Sequence, residues 1–268
     1  MSAAFDELLG LLDLEAIEHN LFRGYHPPAR KKRLFGGQII AQALIAACRT
    51  VEKDRLPHSM HAYFLRPGDP SVPALFEVER IRDGRSFATR RIVVIQRGQA
   101  IFNTDVSFQR PEEGLEHQIP PDKTTIPDMS NLPDEFKQRP FLSFREDNRR
   151  LSGDDPQEPI QHVWIRANGT APDDPRLHIA LLAYQSDEAL LGTARLPHRG
   201  QYSHDRMQVA SLDHTLWFHH HVNVNEWLLY SLDSPAAAAS RGYTRGTIYT
   251  ADGKLVASCM QEGLMRQW

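Results

Sequence analysis

Residues 76–109 read FEVERIRDGRSFATRRIVVIQRGQAIFNTDVSFQ, and residues 228–266 read LLYSLDSPAAAASRGYTRGTIYTADGKLVASCMQEGLMR. The two stretches share a grammar: Arg, one small residue, an aromatic, a strand, a Gly-containing turn and another strand. Apolar and polar residues alternate along them, the period-two pattern of half-buried strands. The first pair of strands turns at Arg97-Gly98. Gly98 aligns with Gly253 (253 − 98 = 155) and Phe64 with Phe218 (218 − 64 = 154), so SMHAYF lies over DHTLWF and GQAIFNTDVSF over GKLVASCMQEG. Features that stay in register to within one residue mark an internal duplication.

Each half also carries a helix ahead of its strands. GGQIIAQALIAAC, residues 36–48, is apolar nearly all round, and such a helix must be buried on most sides. In the second half SDEALLGTARL, residues 186–196, has the look of a helix start, with Ser186 as N-cap and Asp187 and Glu188 in the first turn. The Pro- and charge-rich segment between the halves reads as a connector over the surface. The expected division is therefore an N-terminal unit at 1–110, a linker at 111–155 and a C-terminal unit at 156–268. A buried helix followed by a long antiparallel sheet, occurring twice, is an α+β architecture.

Composition narrows the function classes. A length of 268 residues allows one large domain or two small ones sharing a core, and a net charge of −3 argues against a dedicated nucleic-acid binder. Two cysteines, Cys48 and Cys259, are too few for a disulfide framework or a cysteine-rich zinc site, and both sit in apolar runs as buried thiols do. The N-terminal apolar residues Phe5, Leu8, Leu9, Leu12 and Ile17 follow helical spacing rather than a signal-peptide pattern. The apolar run at IIAQALIAAC falls short of the ~20 residues that span a bilayer, and the final RQW is no peroxisomal address, so a cytoplasmic location is expected.

The segments RLFGGQIIAQALIAA (33–47), HSMHAYFLRPGD (58–69), YQSDEALL (184–191), ASLDHTLWFH (210–219), NEWLLYS (225–231), SRGYTRGTIYTADGKLVAS (240–258) and QEGLMR (261–266) carry a further signal. Together, and in this order, they resemble the TesB-like acyl-CoA thioesterase II family. The resemblance covers nearly the whole chain apart from the linker. It implies a double hotdog fold, two fused units each with a long antiparallel sheet wrapped around a buried helix, in agreement with the duplication. It also implies a hydrolase of lipid and fatty acid metabolism that converts fatty acyl-CoA to free fatty acid and coenzyme A without cofactor or metal. Its catalytic set would be Asp187, Ser211 and Gln261, and the chain would form a homo-oligomer, a dimer or tetramer.

The residue types suit that chemistry. A thioester carbonyl is already electrophilic, so hydrolysis needs a held and polarised water. A carboxylate takes the proton, while a hydroxyl and a carboxamide fix the remaining hydrogen-bond directions. Asp187 could otherwise be a helix-start carboxylate that complements the dipole. Alternation along KLVASCMQE puts Leu255, Ala257, Cys259 and Gln261 on one face, where Gln261 stands at the position of Val106 in the first repeat. An amide on that apolar face needs a partner.

Other features attract attention and yield less. VASLDHTLWFHHH, residues 209–221, places Ser211, Asp213 and His214 close together, yet strand neighbours cannot close a Ser–His–Asp relay and the chain holds no GxSxG elbow. His219, His220 and His221 lack the spacing of metal ligands. RKKR, 30–33, could steer the phosphates of coenzyme A or be a solvated loop end. LSGDDP, 151–156, faintly resembles a hydratase motif of other hotdog enzymes but lacks the downstream His.

The expected mechanism is direct attack of water on the thioester, with Asp187 as base, Ser211 and Gln261 orienting, and the acyl chain in an apolar tunnel beside the helix that Asp187 opens. The alternatives are a non-catalytic acyl-CoA-binding protein, a sensor or carrier, and a covalent hydrolase using Ser211. Chain-length preference has no signature in the sequence.

Overall fold

The structure is a computed structural model and describes residues 2–27, 33–122, 126, 138–145, 154–203 and 206–268. Its centre is a pair of buried helices, α2 (Gly36–Cys48) and α3 (Pro175–Ser186), packed on one another against a single antiparallel sheet. From Gly37 to Cys48 every residue of α2 except Ile45 is buried, as its uniformly apolar composition requires.

The first half runs α1 (Ala3–Leu12), β1 (Glu15–Glu18), β2 (Leu21–Gly24), α2, β3 (Leu56–Phe64), β4 (Ala74–Asp83), β5 (Phe87–Gln96) and β6 (Gln99–Gln109). The second half runs β7 (Phe141–Arg145), β8 (Ile160–Ala167), α3, a short α4 (Leu190–Ala194), β9 (Met207–Ser211), β10 (Asp213–Phe218), β11 (Leu228–Ala238), β12 (Arg241–Thr250) and β13 (Leu255–Gln267). Strands line up as β1-β2-β4-β5-β6-β3-β10-β13-β12-β11-β8-β7, with β9 beside the end of β13. The two sheets fuse where β3 meets β10, with Met60 opposite Leu216 and Ala62 opposite His214. This is the double hotdog arrangement. Among the described residues no helix is long and apolar enough to cross a membrane.

Three details differ from the sequence reading. Helix α1 stops at Leu12, where Asp13 closes it, and Ile17 lies exposed on β1. Strand β7 falls inside the segment expected as linker and pairs with β8. Ser186 ends a helix instead of beginning one: α3 starts at Asp174, whose carboxylate caps the Arg176 N–H with Pro175 in the first turn, and closes at Asp187. A Ser-Asp-Glu triplet satisfies the start signature wherever it sits. Here the apolar run HIALLAYQ before it supplies the buried helix.

Helices α2 and α3 run antiparallel, and each end of α2 meets an opposite charge from α3. The Arg176 guanidinium donates to the carbonyls of Cys48 (2.7 Å), Glu52 and Arg55 (2.9 Å), at and beyond the negative end of α2. Arg176→Met removes these charge-assisted bonds while keeping the aliphatic stem. It should lower unfolding free energy by about 2 kcal/mol in urea titrations.

Candidate active site

At the opposite end of α2 the first turn has no capping side chain, since its N-cap is Phe35. A helix start without Ser, Thr, Asp or Asn leaves N–H groups in need of acceptors. Asp187 supplies one from the other half of the molecule: its Oδ2 accepts the Gly37 N–H at 3.0 Å. Asp187 caps α3 through its backbone N–H, which donates to the Gln185 carbonyl, while its carboxylate is repelled by the negative end of α3 and drawn to the positive end of α2.

Gly36 and Gly37 make this approach possible. A Cβ on Gly36 would come within 2.6 Å of Asp187 Oδ2, and one on Gly37 within 2.1 Å of the Tyr184 carbonyl oxygen. The FGG of the first half is therefore shaped by the Asp of the second. The Gly37 N–H joins the candidate site without having been expected from the sequence; the uncapped glycine pair ahead of a buried helix is the signal that could have found it.

The other carboxylate oxygen gathers the two remaining expected residues. Gln261 Nε2 donates to Asp187 Oδ1 at 2.7 Å, and Ser211 Oγ donates to the same oxygen at 3.3 Å. Ser211 ends β9 and sits opposite Gly263 on β13, while Gln261 is 2% exposed on the same strand. A carboxylate only accepts, so the amide must turn its NH2 toward Asp187. That leaves Gln261 Oε1 buried with no hydrogen-bond partner among the described residues. Glu188, adjacent in sequence, is occupied elsewhere: Arg139 pairs with it at 2.8 Å and Gln185 donates to it at 2.6 Å.

Asp187 and Ser211 line a cavity of about 640 Å³ together with Leu34, Ile39, Phe64, Ile101, Phe102 and Leu191, with Arg33 and Arg66 also in its walls. Arg33 is the last residue of RKKR; residues 30–32 lie outside the described residues, as do 151–153 of LSGDDP. The expected tunnel beside a helix that Asp187 opens takes a different form, because Asp187 closes α3 and the cavity lies between the start of α2, the end of β3 and strand β9.

The neighbours of Ser211 have other tasks. The Asp213 carboxylate accepts the Glu262 N–H at 2.7 Å, and burial pushes its pKa up. His214 is fully buried and bonds through Nε2 to Ser186 Oγ at 2.9 Å. Neither partner is Ser211. His219 bonds to Ser258 at 3.0 Å, and His220 lies 3.7 Å from Glu116.

The comparisons with known proteins identify the family. Residues 132–264 match the family model described as acyl-CoA thioesterase, and residues 24–109 match the one described as acyl-CoA thioesterase N-terminal domain. The chain is 39% identical to acyl-coenzyme A thioesterase 8 of Homo sapiens, over 96% of this chain and 88% of that protein. It is 38% identical to acyl-CoA thioesterase 2 of Haemophilus influenzae, over 99% of both. Among solved structures, acyl-CoA thioesterase II TesB2 from Mycobacterium marinum superposes with a TM-score of 0.85 at 42% identity, covering 97% of this chain and 98% of that one. The chain belongs to the acyl-CoA thioesterase family.

Proposed function

We propose that this protein hydrolyses fatty acyl-CoA to a free fatty acid and coenzyme A by direct attack of a water molecule held between Asp187, Ser211 and Gln261. The observation that supports this reading most is the Asp187 carboxylate, which gathers donors from both halves of the chain at the wall of an apolar cavity.

The thioester enters the cavity with its carbonyl toward the start of α2, where the helix end stabilises developing negative charge on oxygen. Water donates one hydrogen to Asp187 and the other to Gln261 Oε1, the buried acceptor that otherwise lacks a partner. The water oxygen bonds to the carbonyl carbon as Asp187 takes the proton. The C–S bond then breaks, and the proton passes to the departing sulfur, giving a carboxylic acid and a thiol. Ser211 donates to Asp187 Oδ1 and keeps the carboxylate aimed. No covalent acyl-enzyme is needed: among the described residues Ser211 hydrogen-bonds to no base other than Asp187, which the water uses.

Substituting the two orienting residues tests this division of labour. Gln261→Val installs the residue of the equivalent first-half position and should lower kcat by about 10²-fold, the scale of a lost positioning contact, in a thiol-release assay. Ser211→Ala should lower it by about tenfold, since a single hydrogen bond is removed. Full activity in both variants would refute the roles assigned here. A protein that binds acyl-CoA as a sensor or carrier would release no thiol in the same assay.

A further inference from the structure

In each unit of the duplication a rung of paired residues crosses four strands, and the aligned Phe64 and Phe218 mark equivalent ones. In the first it runs Phe76–Val94–Phe102–Phe64, and in the second Tyr230–Ile248–Ala257–Phe218. Position by position, Tyr230 therefore stands where the first unit has Phe76. Counting four residues from the rung, His214 stands where it has Met60, and Gln261 where it has Val106. At the helix ends, Ser186 is the last residue of α3 as Cys48 is of α2. All three first-unit strand residues are fully buried and apolar, and all three second-unit residues are buried and polar.

Burying a polar group costs free energy unless it is partnered, so a cluster of such exchanges asks what the groups serve. Gln261 holds Asp187 directly. The other two converge on Ser186, the residue before Asp187. Tyr230 Oη donates to the Ser186 carbonyl at 2.8 Å and lies 2.9 Å from Cys259 Sγ. With the tyrosine proton committed to that carbonyl, the thiol of Cys259 donates to Tyr230. The Ser186 hydroxyl donates to the Ala183 carbonyl at 2.9 Å, so its oxygen accepts from His214 Nε2–H. The other imidazole tautomer would strand a buried Nδ1–H.

We infer that His214 and Tyr230 are positioning residues for the thioester chemistry: from behind, they lock the Ser186–Asp187 peptide so that the carboxylate meets Gly37, Ser211 and Gln261 at once. The inference rests on the role of Asp187 proposed above. The device holds and does not relay protons. Burial pushes the His214 pKa down to about 4 and that of Cys259 up to about 12, so both stay neutral in the working range. Tyr230 is likewise held protonated by burial. The first unit, with Phe76 and Met60 at these positions, ends its helix on Arg49 instead.

Steady-state kinetics of wild type, His214→Met, His214→Gln, Tyr230→Phe and Asp187→Ala, with thermal melts beside them, test this. His214→Met should lower kcat by about 10²-fold with KM unchanged, the scale of a misplaced reacting group. His214→Gln returns an N–H donor and should recover most of that loss, which a purely space-filling role would not produce. Tyr230→Phe removes one hydroxyl and should cost about tenfold in kcat. If His214→Met does not fold, Tyr230→Phe decides alone. Wild-type kcat in folded His214→Met, or in Tyr230→Phe when it decides alone, beside an inactive Asp187→Ala overturns this inference and leaves the role of Asp187 intact. An active Asp187→Ala overturns the proposed mechanism itself, and the inference with it.

Discussion

Asp187→Asn is expected to lower kcat by about 10³-fold while the melting temperature stays within a few degrees of wild type, because a positioned general base contributes ~10²–10⁴-fold. The amide copies the shape of the carboxylate but accepts hydrogen bonds at only one of its two ends. It cannot take a proton from water, and its NH2 faces either the Gly37 N–H or the Gln261 NH2, both of which are donors. The variant thus removes the base and disturbs the aim of the residues around it. Thiol release from an acyl-CoA panel of increasing chain length measures the loss and reads the chain-length preference at the same time. A kcat within tenfold of wild type would remove Asp187 from the reaction.

Gly37→Ala carries the second large effect, this time on stability. The added methyl would sit 2.1 Å from the Tyr184 carbonyl oxygen and 2.6 Å from a ring carbon of Phe35. The oxygen belongs to the backbone of α3, so relief requires α2 and α3 to separate. Overpacking of this kind costs about 3 kcal/mol, which corresponds to a fall of about 6–12 °C in melting temperature for a chain of this size. Gly36→Ala is the informative contrast. Its methyl would meet Asp187 Oδ2 at 2.6 Å and the Phe64 ring at 3.0 Å, both side chains that can give way. It should lose activity more than stability, and differential scanning fluorimetry beside the kinetic assay separates the two. Equal melting temperatures for Gly37→Ala and wild type would refute the close helix contact.

Much of the fold is legible because the duplication repeats a strand grammar, and alternation alone puts Gln261 on a buried face. The helix partner of α2 was harder to read. Ser186-Asp187-Glu188 carries the chemistry of a helix start, and only the packed structure shows the chain ending α3 there. The three residues around the carboxylate are 24 and 50 positions apart on α3, β9 and β13, so no local spacing could join them. Family resemblance named them, and the fold brings them within 3.3 Å of one oxygen. Two contributions had no sequence signal strong enough to stand alone. One is a backbone N–H, which any residue carries. The other is His214, whose strand face was legible but whose partner Ser186 lies on another element.

In the proposed mechanism a water molecule, not Ser211 or Asp187 itself, attacks the thioester. Rapid-quench intact mass spectrometry through a single turnover with a long-chain acyl-CoA measures this directly. The predicted result is that free acid and coenzyme A accumulate together while the chain keeps its unmodified mass at every time point. A transient acyl adduct that forms and decays at the rate of turnover, mapped to Ser211 or Asp187, would contradict it.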